Sequence, residues 1–249
     1  ILYYAFTNTS GAFTWDNIAA IADPVHVKSI LLSLKLGFFC TVVCLLLAYP
    51  LAMILNSFHF KHQSFVVFLF VLPMWMNFML RILAWRLLLS NNGIVNALFG
   101  LFGFGPVKML NTPTAVVFGM VYDFLPFMIL PIYTVLLKLD GALPEAAADL
   151  GAKRHQVFFK VILPLSMPGI ISGVTMVFLP AMTNYVVLDM VYNSTYIMGS
   201  LIGSYFNTYD WNNGSMISMV LLFIIFGITW ITGKITGDDA DIQRGGAAL

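Results

Sequence analysis

Residues 145–165 read EAAADLGAKRHQVFFKVILPL. The stretch opens small, Ala-rich and acidic, then gathers Lys153, Arg154, His155 and Lys160, and lies between two long apolar segments. Pro144 ahead of it suits the first position of a helix, where a missing N–H leaves no bond unmade. Glu145 complements the positive end of the helix dipole. Gly151 can take the left-handed conformation that ends a helix. These signals predict a helix over 144–150, about two turns and roughly 10 Å long. Ala146, Ala147 and Ala148 keep its backbone slim, and Leu143 and Leu150 offer apolar contacts. Such an element is either a plain connector or a short helix shaped for a groove on a partner.

The surrounding composition says where that helix sits. The chain has 249 residues, 60% hydrophobic and 9% charged, with a mean hydropathy of +0.90. Soluble domains carry about 25% charged residues, so this is a membrane protein. Its backbone in lipid must pair internally, which makes the fold all-α. A span needs about 20 apolar residues, and 29–55, 64–89, 113–137 and 213–234 qualify. A fifth segment, 161–183, is interrupted by Pro164, Pro168 and Pro180. The chain begins at Ile1, and ILYYAF resembles the tail of an apolar helix, so about six spans are expected with the first incomplete. A net charge of +1 gives no sign of nucleic-acid binding. Cys40 and Cys44, four apart in one apolar segment, read as buried thiols.

Basic residues orient the spans. Lys61, then Lys138, Lys153, Arg154 and Lys160, then Lys234 and Arg244 fall in one set of loops, against only Lys28 and Lys108 in the other. The richer set is expected in the cytoplasm, together with the C-terminus. Segments 7–28, 90–112 and 184–212 are then external. Within 90–112, GIVNALFGLFGFG reads as a short helix in the interface. The polar, Gly-rich tail GDDADIQRGGAAL is expected to fray.

Glu145-Ala146-Ala147, then Gly151 after three intervening residues, and Val161-Ile162-Leu163-Pro164 after nine more resemble the EAA loop of ABC-importer permease subunits. Val161 stands where the pattern usually has Ile. The resemblance implies a type I importer permease fold over 1–235, with the EAA loop at about 140–160 and 236–249 a polar tail. It implies that Glu145, Ala146, Ala147, Leu150 and Gly151 form a coupling helix that docks into an ATPase subunit. The stretches VLPMWMNFMLRILAW (71–85), TPTAVVFGMVYDFLPFMILPIYTVLLKLD (112–140) and LPLSMPGIISG (163–173) are similar to the B-type permease of spermidine/putrescine importers. That likeness implies polyamine cargo moved across a bacterial cytoplasmic membrane by alternating access. It further implies a second permease subunit as heterodimer partner, an ATPase dimer and an external binding protein. The same machinery could instead carry ferric iron, an inorganic anion or a small organic solute; a membrane scaffold or enzyme is the remaining alternative. No Gly-rich phosphate loop and no nucleophile–base constellation stands out, so no catalytic residue, cofactor or metal is assigned, and ATP hydrolysis is expected on a separate subunit.

Charges inside the spans need reasons. Lys35 can snorkel, as can Arg81 and Arg86 near the outer end of 64–89; Arg81 is alternatively a gate residue paired with an acid. Asp123 falls near mid-bilayer, with Tyr122 before it, and is either a cargo contact or one half of an ion pair with Arg81 or a sibling subunit. Asp189 follows the Pro180 break and is either a carboxylate facing cargo or an ordinary acid at a helix end. A cargo of ammonium groups and methylenes would suit these carboxylates with aromatic and amide neighbours, and Trp75, Asn77, Tyr122 and Tyr185 complete the candidate pathway. Trp15 and Trp211 read as interface anchors.

Overall fold

A computed structural model describes residues 1–8, 11–57, 68, 70, 72–192 and 196–245. Among them every regular element is helical, apart from one antiparallel bridge between Thr7 and Phe13. Two short helices, α1 (Leu2–Ala5) and α2 (Asp16–Ala20), precede the long α3 (Pro24–Ser57). A 3-10 turn at Leu72–Trp75 leads to α4 (Phe78–Leu88) and α5 (Ile94–Leu101). The long α6 (Pro113–Lys138) is followed by α7 (Ala142–Asp149) and α8 (Arg154–Val157). A π turn, Phe158–Ile162, joins α8 to α9 (Leu163–Leu165). Then come α10 (Met167–Thr183), α11 (Tyr185–Val191), α12 (Met198–Asn207) and α13 (Trp211–Gly245).

Among the described residues, α3, α6 and the Trp211–Lys234 part of α13 are long and apolar enough to cross a membrane. Arg154–Leu165 and Met167–Thr183 form a further span bent by 63°, so the prolines of 161–183 produce a break at Ser166. The expected span 64–89 is not one helix in its described part. Pro73 lacks the N–H that would continue a helix. Asn77 leaves helical geometry (φ −56°, ψ 129°) and caps α4, accepting from the Met79 and Leu80 amides at 2.9 and 3.3 Å. Eleven residues of α4 rise about 16 Å, half a bilayer core. Residues 64–67, 69 and 71 of that segment, and Lys61 of the charge argument, lie outside the described residues. At the other end α13 continues to Gly245, beyond the expected fraying point.

The chain forms two compact units. One is built from Ile1–Thr41, Met74–Asp123 and Phe178–Ile228. Its interior holds Val116 and Met120 of α6, Met182 of α10, and Val187 and Leu188 of α11. Buried polar groups fix its loops. The Ser33 hydroxyl accepts from the Met198 amide (2.9 Å), tying α3 to the start of α12. The Asn96 amide donates to the carbonyls of Ser90, Asn91 and Val107 and accepts from the Val107 amide, which closes the loop around α5. That helix is the one expected within 90–112, and Leu98, Leu101, Phe102 and Phe104 remain exposed on and after it.

The other unit comprises Val42–Pro73, Phe124–Val177 and Thr229–Leu249. Here α10 lies against α6. A Cβ at Gly169 would sit 2.9 Å from the Pro131 carbonyl oxygen, so only glycine permits that approach. The break at Ser166 is buried, and its hydroxyl donates to the Leu163 carbonyl (2.9 Å). The Tyr49 hydroxyl, 2.8 Å away, therefore donates to Ser166 Oγ. A kink placed in apolar surroundings thus keeps its freed polar groups satisfied.

Candidate functional site

The helix read from the opening stretch exists as α7, with two adjustments. It begins at Ala142, after a turn at Asp140 whose Oδ1 accepts from the Ala142 amide (3.0 Å) and whose carbonyl accepts from the Leu143 amide (3.2 Å). Pro144 becomes the third helical residue, still within the first turn where amides lack an internal acceptor. The far end is as the glycine suggests. Gly151 has φ +86°, its amide donates to the Ala148 carbonyl (2.9 Å), and the Ala152 amide reaches back to the Ala147 carbonyl (3.1 Å). These are the two bonds of a Schellman end. No residue of α7 is buried, and Leu150 just past its end is 90% exposed. Glu145 and Ala146 are exposed too, Ala147 half so.

Arg81 and Asp123 meet. Arg81 Nη2 lies 3.3 Å from Asp123 Oδ1, and both residues are buried. The snorkelling expected of Arg81 does not occur, because a buried acid on α6 holds it. The ring of Phe78 lies 5.8 Å from the guanidinium carbon. Trp85, one turn beyond Arg81, stacks edge-on with Tyr122 (5.1 Å) and Phe118 (4.8 Å). Arg86 and Lys35 are exposed.

Asp189 is exposed on α11, while Val187, Leu188 and Val191 face inward. Partial desolvation still raises its carboxyl above the usual carboxylate range. Tyr185, four residues earlier and also exposed, shares its helix face. The Asn184 side chain caps α11 through the Val187 amide (3.4 Å). Trp75 is exposed, whereas the side-chain oxygen of Asn77 is committed to its capping bonds.

Some pairings carried no signal in the sequence. His26 Nε2 lies 2.7 Å from the Tyr205 hydroxyl, across 179 residues of chain. Burial, then the charges of Asp210 and Asp23, push that phenol above its ordinary range. The Tyr49–Ser166 bond is equally remote in sequence. Asn77 is different: an Asn just before an apolar run is an ordinary helix-start signal and marks the break. Cys40 and Cys44 are buried, as their place in an apolar segment suggests. Among the described residues no group of three or more His, Cys, Asp or Glu is placed to hold a metal ion.

An exposed short helix, α7, thus follows one membrane-length apolar helix and precedes a bent one. Residues 30–232 match the family described as binding-protein-dependent transport system inner membrane component, and the chain belongs to that family, whose members are multi-pass membrane permeases. The chain is 37% identical over 248 residues to the spermidine/putrescine transport system permease protein PotB of Haemophilus influenzae, covering 97% of this chain and 85% of that protein. The Escherichia coli PotB is 38% identical over 217 residues, 86% of this chain and 79% of the relative. The fold is similar to a subunit in the crystal structure of a bacterial ABC transporter that imports the acidic polysaccharide alginate: TM-score 0.76, 17% identity, 94% of this chain and 88% of that one. A second structure of an alginate ABC transporter, in complex with its pentasaccharide-bound periplasmic protein, gives a TM-score of 0.74 at 17% identity.

Proposed function

We propose that this permease takes up polyamines, in the size range of spermidine and putrescine, as one half of a heterodimeric membrane unit. The observation that carries the reading is the identity to PotB along 97% of the chain. It is supported by Asp189 and Tyr185, both exposed and four residues apart on α11. A carboxylate offsets part of the hydration an ammonium group loses, and an aromatic face covers methylenes and cation alike. Trp75 and Tyr122 extend the pathway in this reading. Asp123 belongs to it only if cargo displaces Arg81.

In the same reading α7 is the coupling helix. Glu145, Ala146, Ala147, Leu150 and Gly151 enter a cleft of the ATPase subunit, where ATP is hydrolysed. The ATPases, α7 and the C-terminus then lie on the cytoplasmic side, and 184–212 faces an external binding protein. Closing of the ATPase dimer draws the coupling helices together and switches access from inside to outside. Residues 1–235 form the membrane domain, and 236–249 a polar extension.

Uptake by vesicles containing the complete complex tests the cargo. Labelled spermidine or putrescine should accumulate with ATP and binding protein present. Accumulation of sulfate, ferric iron or a neutral solute in place of the polyamines would overturn the assignment.

A further inference from the structure

A cavity of about 720 Å³ opens beside α7. Its wall includes Met53, Val157, Phe158 and Phe159, and Arg154 and His155 stand on the same lining. The volume lies within the roughly 300–1,000 Å³ of small-ligand sites. Among the described residues no acidic side chain lines it. Phe158 is held edge-on against Tyr49 (5.6 Å), and Phe159 packs edge-on against Phe158 (4.9 Å) yet stays 61% exposed. Both rings belong to the π turn Phe158–Ile162, a local widening of the helix of the kind that gathers at functional sites.

Lys153, Arg154, His155 and Lys160 are all exposed along this stretch. It forms the first arm of the bent span that continues through Met167–Thr183. A hydrocarbon wall with a cationic edge, at the end of a membrane span, fits a ligand with an apolar chain and an anionic head. Basic clusters flanking spans attract anionic headgroups, and exposed aromatics favour the interface. A free anion would answer the cations and leave the aromatic wall wet, so the wall argues for the lipid.

We propose that this cavity binds one acyl chain of an anionic phospholipid, with Arg154 and His155 at its phosphate and Lys153 and Lys160 adding to the attraction. The site is independent of which cargo the permease carries. The assembled complex, in vesicles of phosphatidylcholine, is offered phosphatidylglycerol or phosphatidylcholine bearing the same photoactivatable group on the acyl chain. Cross-links are mapped by peptide mass spectrometry. Phosphatidylglycerol should label residues 154–162 at least about tenfold more than phosphatidylcholine. That preference should vanish in an R154Q/K160Q variant, since two basic residues near an anionic surface together account for roughly 30-fold, enough to cover the tenfold preference. A Phe159→Ala variant, which removes apolar wall and no charge, should lower labelling by both lipids and keep the preference. Equal labelling of the wild type by the two lipids would overturn the proposal without reference to any variant. So would loss of labelling to millimolar inorganic phosphate, the mark of a simple anion site. Labelling found only after the ATPase is stripped away would make the groove a protein interface and overturn it as well.

Discussion

Arg81 of α4 and Asp123 of α6 form a buried ion pair at 3.3 Å. Removing one partner leaves a buried charge uncompensated, which costs about 3–5 kcal/mol, whereas replacing both by apolar residues is often neutral. Arg81→Met alone should therefore lower the melting temperature of the purified complex, and Arg81→Met with Asp123→Leu should restore most of it. Uptake separates the two roles of Asp123. If it returns with stability, the pair is structural; if it stays lost while stability returns, Asp123 contacts cargo.

Gly151 should tolerate Asn and reject Val. Its φ of +86° is reached by L-residues only with strain, about 1–2 kcal/mol, and no neighbour within 4 Å would clash with a Cβ. The penalty is thus purely conformational and worst for a β-branched side chain. Substrate-stimulated ATPase activity of the complex should fall in Gly151→Val and persist in Gly151→Asn, with membrane insertion equal in both. Full coupling in Gly151→Val would remove α7 from the transmission path.

Asp189→Asn keeps the shape and removes the charge. Polyamine uptake at low cargo concentration should drop by about tenfold, the effect of roughly 1.4 kcal/mol, while assembly and basal ATPase activity remain. Because partial desolvation raises this carboxyl's pKa, the Asp189-dependent part of uptake should fade on acidification at a pH above that of an ordinary aspartate. An Asn variant with wild-type uptake kinetics at every pH would leave Asp189 a solvated helix-end acid.

Tyr49→Phe removes the donor to Ser166 Oγ at the bend of the broken span. A loss of about 1 kcal/mol is expected, read as a lowered unfolding midpoint. Adding Ser166→Ala should cost less than the sum of the separate changes, since both act on one bond. Additive losses would show that the two hydroxyls stabilise the bend independently.

Orientation is open to thiol labelling in a background lacking Cys40 and Cys44. Thr208→Cys, exposed after α12, should react with an impermeant reagent added outside. Leu150→Cys should react only from the cytoplasmic side, and less once the ATPase is bound. The reverse pattern would invert the topology.

Much of the protein was legible in the sequence because its signals are local. Apolar length makes α3, α6 and α13, since lipid offers the backbone no other partners. Pro144, Glu145 and Gly151 mark α7 within eight residues, and the EAA spacing names the class of machine. Whether Arg81 snorkels or pairs could not be read there: its partner lies 42 positions away in chain order, and only packing of α4 on α6 brings the charges together. The same holds for Tyr49 with Ser166 and for His26 with Tyr205, where the decisive contact is made by helix faces that the chain's order leaves far apart. The break in 64–89 stood between these cases. Pro73 and Asn77 are local signals, but the apolar run around them masked their effect, and the geometry decided in favour of the cap. Sequence sets which segments must hide from water; the tertiary structure decides which buried charges and hydroxyls find one another, because an unpaired polar group in that interior costs more than the local chain can offset.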